Sequence, residues 1–198
     1  MKSINDRYDI SDFIVSSLYD DSIVYDLGFG NTFLLNKILE QRKNIKYIGV
    51  DKDLTLCNEV RKLVQENNLI NVEVYDGDMI EFYRCDCDIC VFSRVFHHFN
   101  KEEAEKIFKN ALKMISTKGR IIIVDSFRDY SNRNDRFNYL PLFFINQLSL
   151  FGVKSISCEK CEINSINVDE LWKLVIDIEN KTALISFKKY NDTKGNQL

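Results

Sequence analysis

A chain of 198 residues, 45% hydrophobic and 12% aromatic, can fill one core well and is short for two domains. Its formal net charge of −3, with no block of five or six like charges, leaves no basic footprint for a phosphate backbone, so nucleic acid is not expected as a partner. The first twelve residues are polar, and the longest apolar stretch, Leu140 to Val153, is interrupted by Pro141, Asn146, Gln147 and Ser149; neither a signal peptide nor a membrane span is expected, and the chain reads as cytoplasmic.

Asp9 to Leu18 carries apolar residues at Ile10, Phe13, Ile14 and Leu18, the spacing of a short amphipathic helix. Residues 22–31, Ser-Ile-Val-Tyr-Asp-Leu-Gly-Phe-Gly-Asn, read as a buried strand turning sharply into a helix. Gly28 and Gly30 permit positive φ and let backbone amides approach a ligand at the helix N-terminus. Asp26 suits a ligand carrying a cationic amine rather than a pyrophosphate, and Phe33 stands where a dinucleotide fingerprint needs its third small residue. Leu34, Leu35, Ile38 and Leu39 give the next helix one apolar face. A second strand, Lys46 to Val50, then ends at Asp51, about twenty residues past the glycines, where a strand–helix–strand unit presents a carboxylate to ribose hydroxyls.

Asp53 can cap a third helix with apolar positions Cys57, Val60, Leu63 and Val64. Asn71 to Tyr75 reads as a strand, and the following Asp-Gly-Asp-Met, taken alone, as a glycine-containing turn with an Asx cap. Ile89 to Phe92 is nearly all apolar, as a central parallel strand buried on both faces should be. Asn100 and Glu103 have capping-box spacing, and Ala104, Ile107, Phe108, Ala111, Leu112 and Ile115 line one face of the helix behind them. Lys118-Gly119 ends that helix, and Ile121 to Val124 is a fifth strand finishing at Asp125.

Over residues 20–126 this order of elements and motifs resembles the class I S-adenosylmethionine-dependent methyltransferases, and among them the O-methyltransferases of small hydroxylated molecules. Their first motif, Asp/Glu-x-Gly-x-Gly-x-Gly, is here Asp26-Leu-Gly28-Phe-Gly30-Asn-Thr32, with Thr32 in place of the last glycine. Their Arg-Val-Leu-His-Asp-Trp-like segment is here Arg94-Val95-Phe96-His97-His98-Phe99. The resemblance implies a single α/β domain over residues 1–198, a doubly wound Rossmann-like sheet of seven strands in the order 3-2-1-4-5-7-6, and S-adenosyl-L-methionine as cofactor. It implies that Asp26 and the backbone near Ser93 hold the methionyl amine and Gly28 and Gly30 the methionyl tail. Asp51 would hold the ribose, and Asp78 with Met79 the adenine. His97 falls at the site of the family's general base. His98 replaces the usual Asp, and since consecutive loop residues point in different directions, only one histidine is expected to face the methyl donor.

Residues 1–20 are expected to form a helical cap and residues 127–152 a segment walling the acceptor pocket, with Phe137, Tyr139, Phe143 and Phe144 as lining candidates or simple core residues. Leu174 to Glu179 and Thr182 to Lys189 alternate around Asn180-Lys181 as a terminal hairpin, and Ser155 to Ile163 is a further strand; the residues do not decide which of these is strand six. The six cysteines read as thiols. Cys85, Cys87 and Cys90 lie close together and Cys158 and Cys161 have zinc-like spacing, but alternation would put Cys87 and Cys90 on opposite faces of a strand, so no metal site is expected. The function that follows is methyl transfer to a small molecule, with a hydroxyl acceptor and with nitrogen, carbon or sulfur left open. A non-catalytic S-adenosylmethionine-binding or partner-binding module would share every feature but the chemistry. An NAD(P)-dependent reductase would share the fold and Asp51, but Phe33 opposes the close helix packing it needs.

Overall fold

The computed structural model describes residues 4–126, 144, 147–148, 152–159 and 171–188. In chain order the elements are α1 (Ile4–Ser17), β1 (Ile23–Leu27), α2 (Phe33–Gln41), β2 (Lys46–Asp51), α3 (Leu54–Glu66), β3 (Val72–Asp76), β4 (Cys87–Ser93), a 3₁₀ turn (Phe96–His98), α4 (Lys101–Met114), β5 (Ile115–Ser126), β6 (Ser155–Glu159), β7 (Leu171–Asp177) and β8 (Thr182–Lys188). They form one sheet in the order β3-β2-β1-β4-β5-β7-β8-β6. β1 to β5 run parallel, β7 is antiparallel to β5 and β8, and β6 is parallel to β8.

Because successive residues of a strand face opposite ways, each strand feeds two cores. On one face Tyr25, Leu27, Phe92 and Ile123 pack with Ile107 and Phe108 of α4; on the other Val24, Val91 and Val124 pack with Ile14 of α1 and Leu35 and Ile38 of α2. The caps read from the sequence are in place. Asp53 accepts from the backbone of Thr55 and Leu56, and Asn100 and Glu103 form a reciprocal capping box, a kind of end stabilisation worth about 1 kcal/mol. α1 starts earlier than Asp9, and Leu39, expected on the buried face of α2, is exposed.

Three sequence expectations give way to tertiary constraint. α4 ends at Met114 rather than at Lys118-Gly119, and β5 begins at once. Its pairing with β4 jumps from Cys87↔Ile115 to Ile89↔Arg120, so the residues between bulge out, and at Gly119 a Cβ would sit 2.8 Å from the Asp88 carbonyl oxygen. The same register shift alters the facing of the β4 cysteines. Cys87 and Cys90, expected on opposite faces, are both buried in the α4-side core.

The third concerns the far edge. An eighth strand extends the seven expected, and the hairpin itself lies where the sequence put it. β7 lies beside β5 because its alternate residues Trp172, Leu174 and Ile176 are all buried, whereas β6, with Ile156 exposed, takes the edge outside β8. Phe144, a candidate for the acceptor pocket, is a core residue: its ring packs on Phe96, Phe108 and Trp172. Phe137, Tyr139, Phe143 and Cys161 lie outside the described residues. Among those described, no helix is long and apolar enough to cross a membrane.

Candidate active site

β1 pairs with β2 on one side and β4 on the other, so chain progression reverses beside it and the carboxyl ends of these strands open a crevice. A cleft of about 650 Å³ occupies this point. Asp26, Gly28, Gly30 and Asp51 line it from the β1 and β2 ends, and Asp78, Met79, Ser93 and His97 from the β3 and β4 sides. The residues expected from the sequence to bind cofactor or to act as general base therefore all border one cavity. Ile10 and Ser11 bring α1 against its wall.

The glycine turn is shaped by contacts as well as by backbone angle. Gly28 has φ +82 and donates its N–H to the Val50 carbonyl at 2.7 Å. A Cβ there would lie 2.7 Å from Met79 Cε and 2.8 Å from Val95 Cγ2. Met79 can swing aside, but the β-branched Val95, buried on a short turn, has less freedom. Gly28→Ala is expected to destabilise the protein by about 1–3 kcal/mol in chemical denaturation. Gly30 has φ +63 but open space around it, so Gly30→Ala should cost less, about 1–2 kcal/mol from the backbone alone.

Asp51 organises the rim. One carboxylate oxygen accepts from the Gly30 amide and the other from the Asp53 amide, each at 2.9 Å, which fastens the glycine turn to the tip of β2. Asp78 turns an oxygen onto the Ile80 amide at 2.9 Å, the Asx cap its sequence suggested, and it is exposed at the cleft edge.

Asp26 is 1% exposed. Its Oδ2 accepts from the Tyr47 hydroxyl at 2.8 Å, while Oδ1 is buried with no hydrogen-bond partner among the described residues. Burial pushes its carboxyl up to about 7, partly offset by the Tyr47 hydrogen bond and reinforced by the Asp51 charge. The folded value lies above the ordinary 3.8, so the native state retains a proton that the unfolded state gives up. This group's contribution to stability is therefore full below about 3.8 and is lost as pH rises through about 7. Compared with Asp26→Asn, wild type should lose stability progressively over that window in denaturant titrations. Docking a cationic amine against Asp26 should reverse the shift, and proton release on binding is readable by calorimetry in buffers of different ionisation enthalpy.

Two residues to which the sequence reading gave no role belong to the site, one behind the cleft wall and one in it. Asp125 is the last residue but one of β5 and is fully buried; parallel pairing of β4 with β5 brings it beneath the 3₁₀ turn. Its Oδ1 lies 2.6 Å from His97 Nδ1, and its Oδ2 accepts from the His97 backbone N–H at 3.2 Å. With Asp125 as carboxylate, Nδ1 carries the imidazole proton and the basic lone pair is on Nε2. The sequence signal for Asp125 was its place at the carboxyl end of a central strand. Arg94 also lines the cleft, with its backbone at φ 60.

His98 was expected to point away, yet both histidines border the cleft, their ring centroids 4.0 Å apart, because one 3₁₀ turn carries them. They differ in environment: His97 is 6% exposed and His98 is exposed. Burial of its ring and the adjacent His97 hold the His98 imidazole below its ordinary value; Asp125 opposes this, and Lys52 and Arg94 add to it.

A parallel sheet reversing beside β1, a glycine turn after it, acidic residues at the tips of β1 and β2, and an antiparallel strand beside β5 match the fold of the class I S-adenosylmethionine-dependent methyltransferases. Residues 24–119 match the family model described as a methyltransferase domain, so the resemblance carried by the motifs holds over the stretch where they lie. A curated relative, indole glucosinolate O-methyltransferase 5 of Arabidopsis thaliana, is 30% identical over 105 residues, 52% of this chain. The match spans 26% of that relative's length. Among solved structures, coclaurine N-methyltransferase bound to N-methylheliamine and SAH superposes with a TM-score of 0.55 at 20% identity, over 60% of this chain and 35% of that one. Mitomycin 7-O-methyltransferase superposes with a TM-score of 0.52 at 17% identity, over 68% and 40%.

Proposed function

We propose that this chain transfers a methyl group from S-adenosyl-L-methionine to the hydroxyl of a small molecule, with His97 as general base. The observation that carries the reading is the contact of His97, which lines the cleft, with the buried Asp125 behind it, Nδ1 to Oδ1 at 2.6 Å. Support for the cofactor comes from the cavity itself. The buried Oδ1 of Asp26, without a partner among the described residues, suits the methionyl amine, and Gly28 lets the turn pack against Met79 and Val95 where a Cβ would clash. Gly30 and the backbone near Ser93 flank the methionyl end, Asp51 takes the ribose hydroxyls, and Asp78 with Met79 takes the adenine.

Bound there, the cofactor supplies a methyl group already activated on a sulfonium. What is left to the protein is placement and proton removal, and placement alone contributes on the order of 7–11 kcal/mol in well-oriented reactions. His97 Nε2 takes the acceptor's proton, and the imidazolium that results is held against the Asp125 carboxylate through Nδ1–H. Asp125 also fixes the ring through the His97 backbone, so the base keeps one orientation during the reaction. α1, through Ile10 and Ser11, closes the cleft from the N-terminal side.

The test is incubation with methyl-labelled S-adenosylmethionine and a panel of hydroxylated, aminated and thiol-bearing small molecules, with products identified by mass spectrometry. Labelled ethers are expected. Label appearing only on amines or thiols would remove the general-base assignment, and binding without any product would leave a non-catalytic module.

A further inference from the structure

Arg94 lines the cleft and carries a chemistry that the proposed reaction does not use. It sits at the end of β4, its N–H bound to the Val124 carbonyl at 2.7 Å, with φ 60, a left-handed conformation that costs a non-glycine residue about 1–2 kcal/mol. Its Nε is buried and, among the described residues, has no hydrogen-bond partner. A buried guanidinium N–H cut off from water and left without an acceptor is unfavourable unless a ligand supplies one. Nε–H and the adjacent Nη–H form a parallel pair of donors that matches the two oxygens of a carboxylate side-on. A second cation, Lys52, lines the cleft with Arg94; both act on His98 as like charges, opposed by Asp125, whereas Asp26, Asp51 and Asp78 line the acidic part.

We propose that Arg94 is a carboxylate anchor inside the cleft, receiving either the α-carboxylate of the cofactor's methionyl end or a carboxylate on the acceptor. This rests on the proposed function, and the two sources are separated by ligand choice. Arg94→Gly is the informative variant, because glycine suits φ 60 and the change removes the guanidinium while relieving the backbone; Arg94→Lys keeps the charge without the fork.

Calorimetric titrations would compare S-adenosylhomocysteine with 5′-methylthioadenosine, which lacks the amino-acid end. The S-adenosylhomocysteine-saturated protein would then be titrated with 4-hydroxybenzoate, 3-(4-hydroxyphenyl)propionate and their methyl esters. An anchor for the cofactor predicts that Arg94→Gly loses about 10- to 100-fold in affinity for S-adenosylhomocysteine and none for 5′-methylthioadenosine. An anchor for the acceptor predicts that wild type binds an acid better than its ester and that Arg94→Gly erases the preference, with S-adenosylhomocysteine affinity unchanged. In either case Arg94→Lys should retain part of the effect and Arg94→Gly should unfold at no lower denaturant concentration than wild type. The proposal is overturned if Arg94→Gly binds all these ligands as wild type does, or weakens all of them equally. If wild type itself fails to bind S-adenosylhomocysteine, the proposed function is what fails.

Discussion

Replacing His97 with alanine is expected to lower turnover by about 10²–10⁴, the usual contribution of a positioned general base, with S-adenosylmethionine affinity staying near wild type. The separation of rate from affinity follows from the contacts: the imidazole is held by Asp125 of β5, whereas the glycine turn is fastened by Asp51. Asp125→Asn should also impair turnover. Asp125 accepts from both His97 Nδ1 and the His97 backbone N–H, and an amide offers one oxygen and one NH₂ to those two donors. Either the ring flips to the tautomer with its proton on Nε2, which removes the base, or a buried N–H loses its acceptor. His98→Ala should cost less, since His98 is exposed and does not share the Asp125 contact. Titration with S-adenosylhomocysteine alongside steady-state rates on the true acceptor separates these cases. Near-normal turnover in His97→Ala would make the protein a proximity catalyst for an already nucleophilic nitrogen or thiolate, with His97 confined to packing.

Replacing Asp51 with alanine is expected to weaken S-adenosylmethionine binding by about 10²–10⁴-fold, because two ribose hydroxyls donating to one carboxylate make charge-assisted hydrogen bonds worth roughly 1.5–3 kcal/mol each. The structure adds a second route to the same loss. Asp51 also holds the Gly30 and Asp53 amides, so its removal loosens the glycine turn and the entry to α3. Asp51→Asn, with one acceptor oxygen left, should fall between. If the loss came from the turn alone, the denaturation midpoint would fall in step with affinity; if ribose contact dominates, affinity falls much further than stability. Unchanged affinity would remove Asp51 from the ribose role and weaken the assignment of the whole rim.

The candidate site was legible to the extent that it is built at strand ends. Asp26, Asp51 and Asp78 each follow a short apolar run, and in a parallel sheet all such ends open on one edge. That reasoning reached Asp125 as a strand end but gave it no role, because its partner lies 28 residues earlier and only the β4–β5 register joins them. Tyr47 was missed for the same reason: it is an alternating core position of β2 until β1 places the Asp26 carboxylate beside its hydroxyl. The facing of Cys87 and Cys90 was misjudged because a register shift against β5 breaks the alternation that a lone strand would keep.

The sequence by itself determined the elements whose causes are local: the glycine turn at Gly28 and Gly30, the Asp53 and Asn100 caps, the buried apolar run of β4 and the terminal hairpin around Asn180-Lys181. These depend on backbone freedom, on side chains reaching amides two or three residues away, and on alternation within a few residues. Only the tertiary structure decided that α4 stops at Met114, that the hairpin's first strand lies beside β5 with Ser155–Glu159 outside it, and that His97 meets Asp125. Each of those outcomes is a competition among distant segments for the same buried surface or the same acceptor, and its energy exists only once the strands are paired.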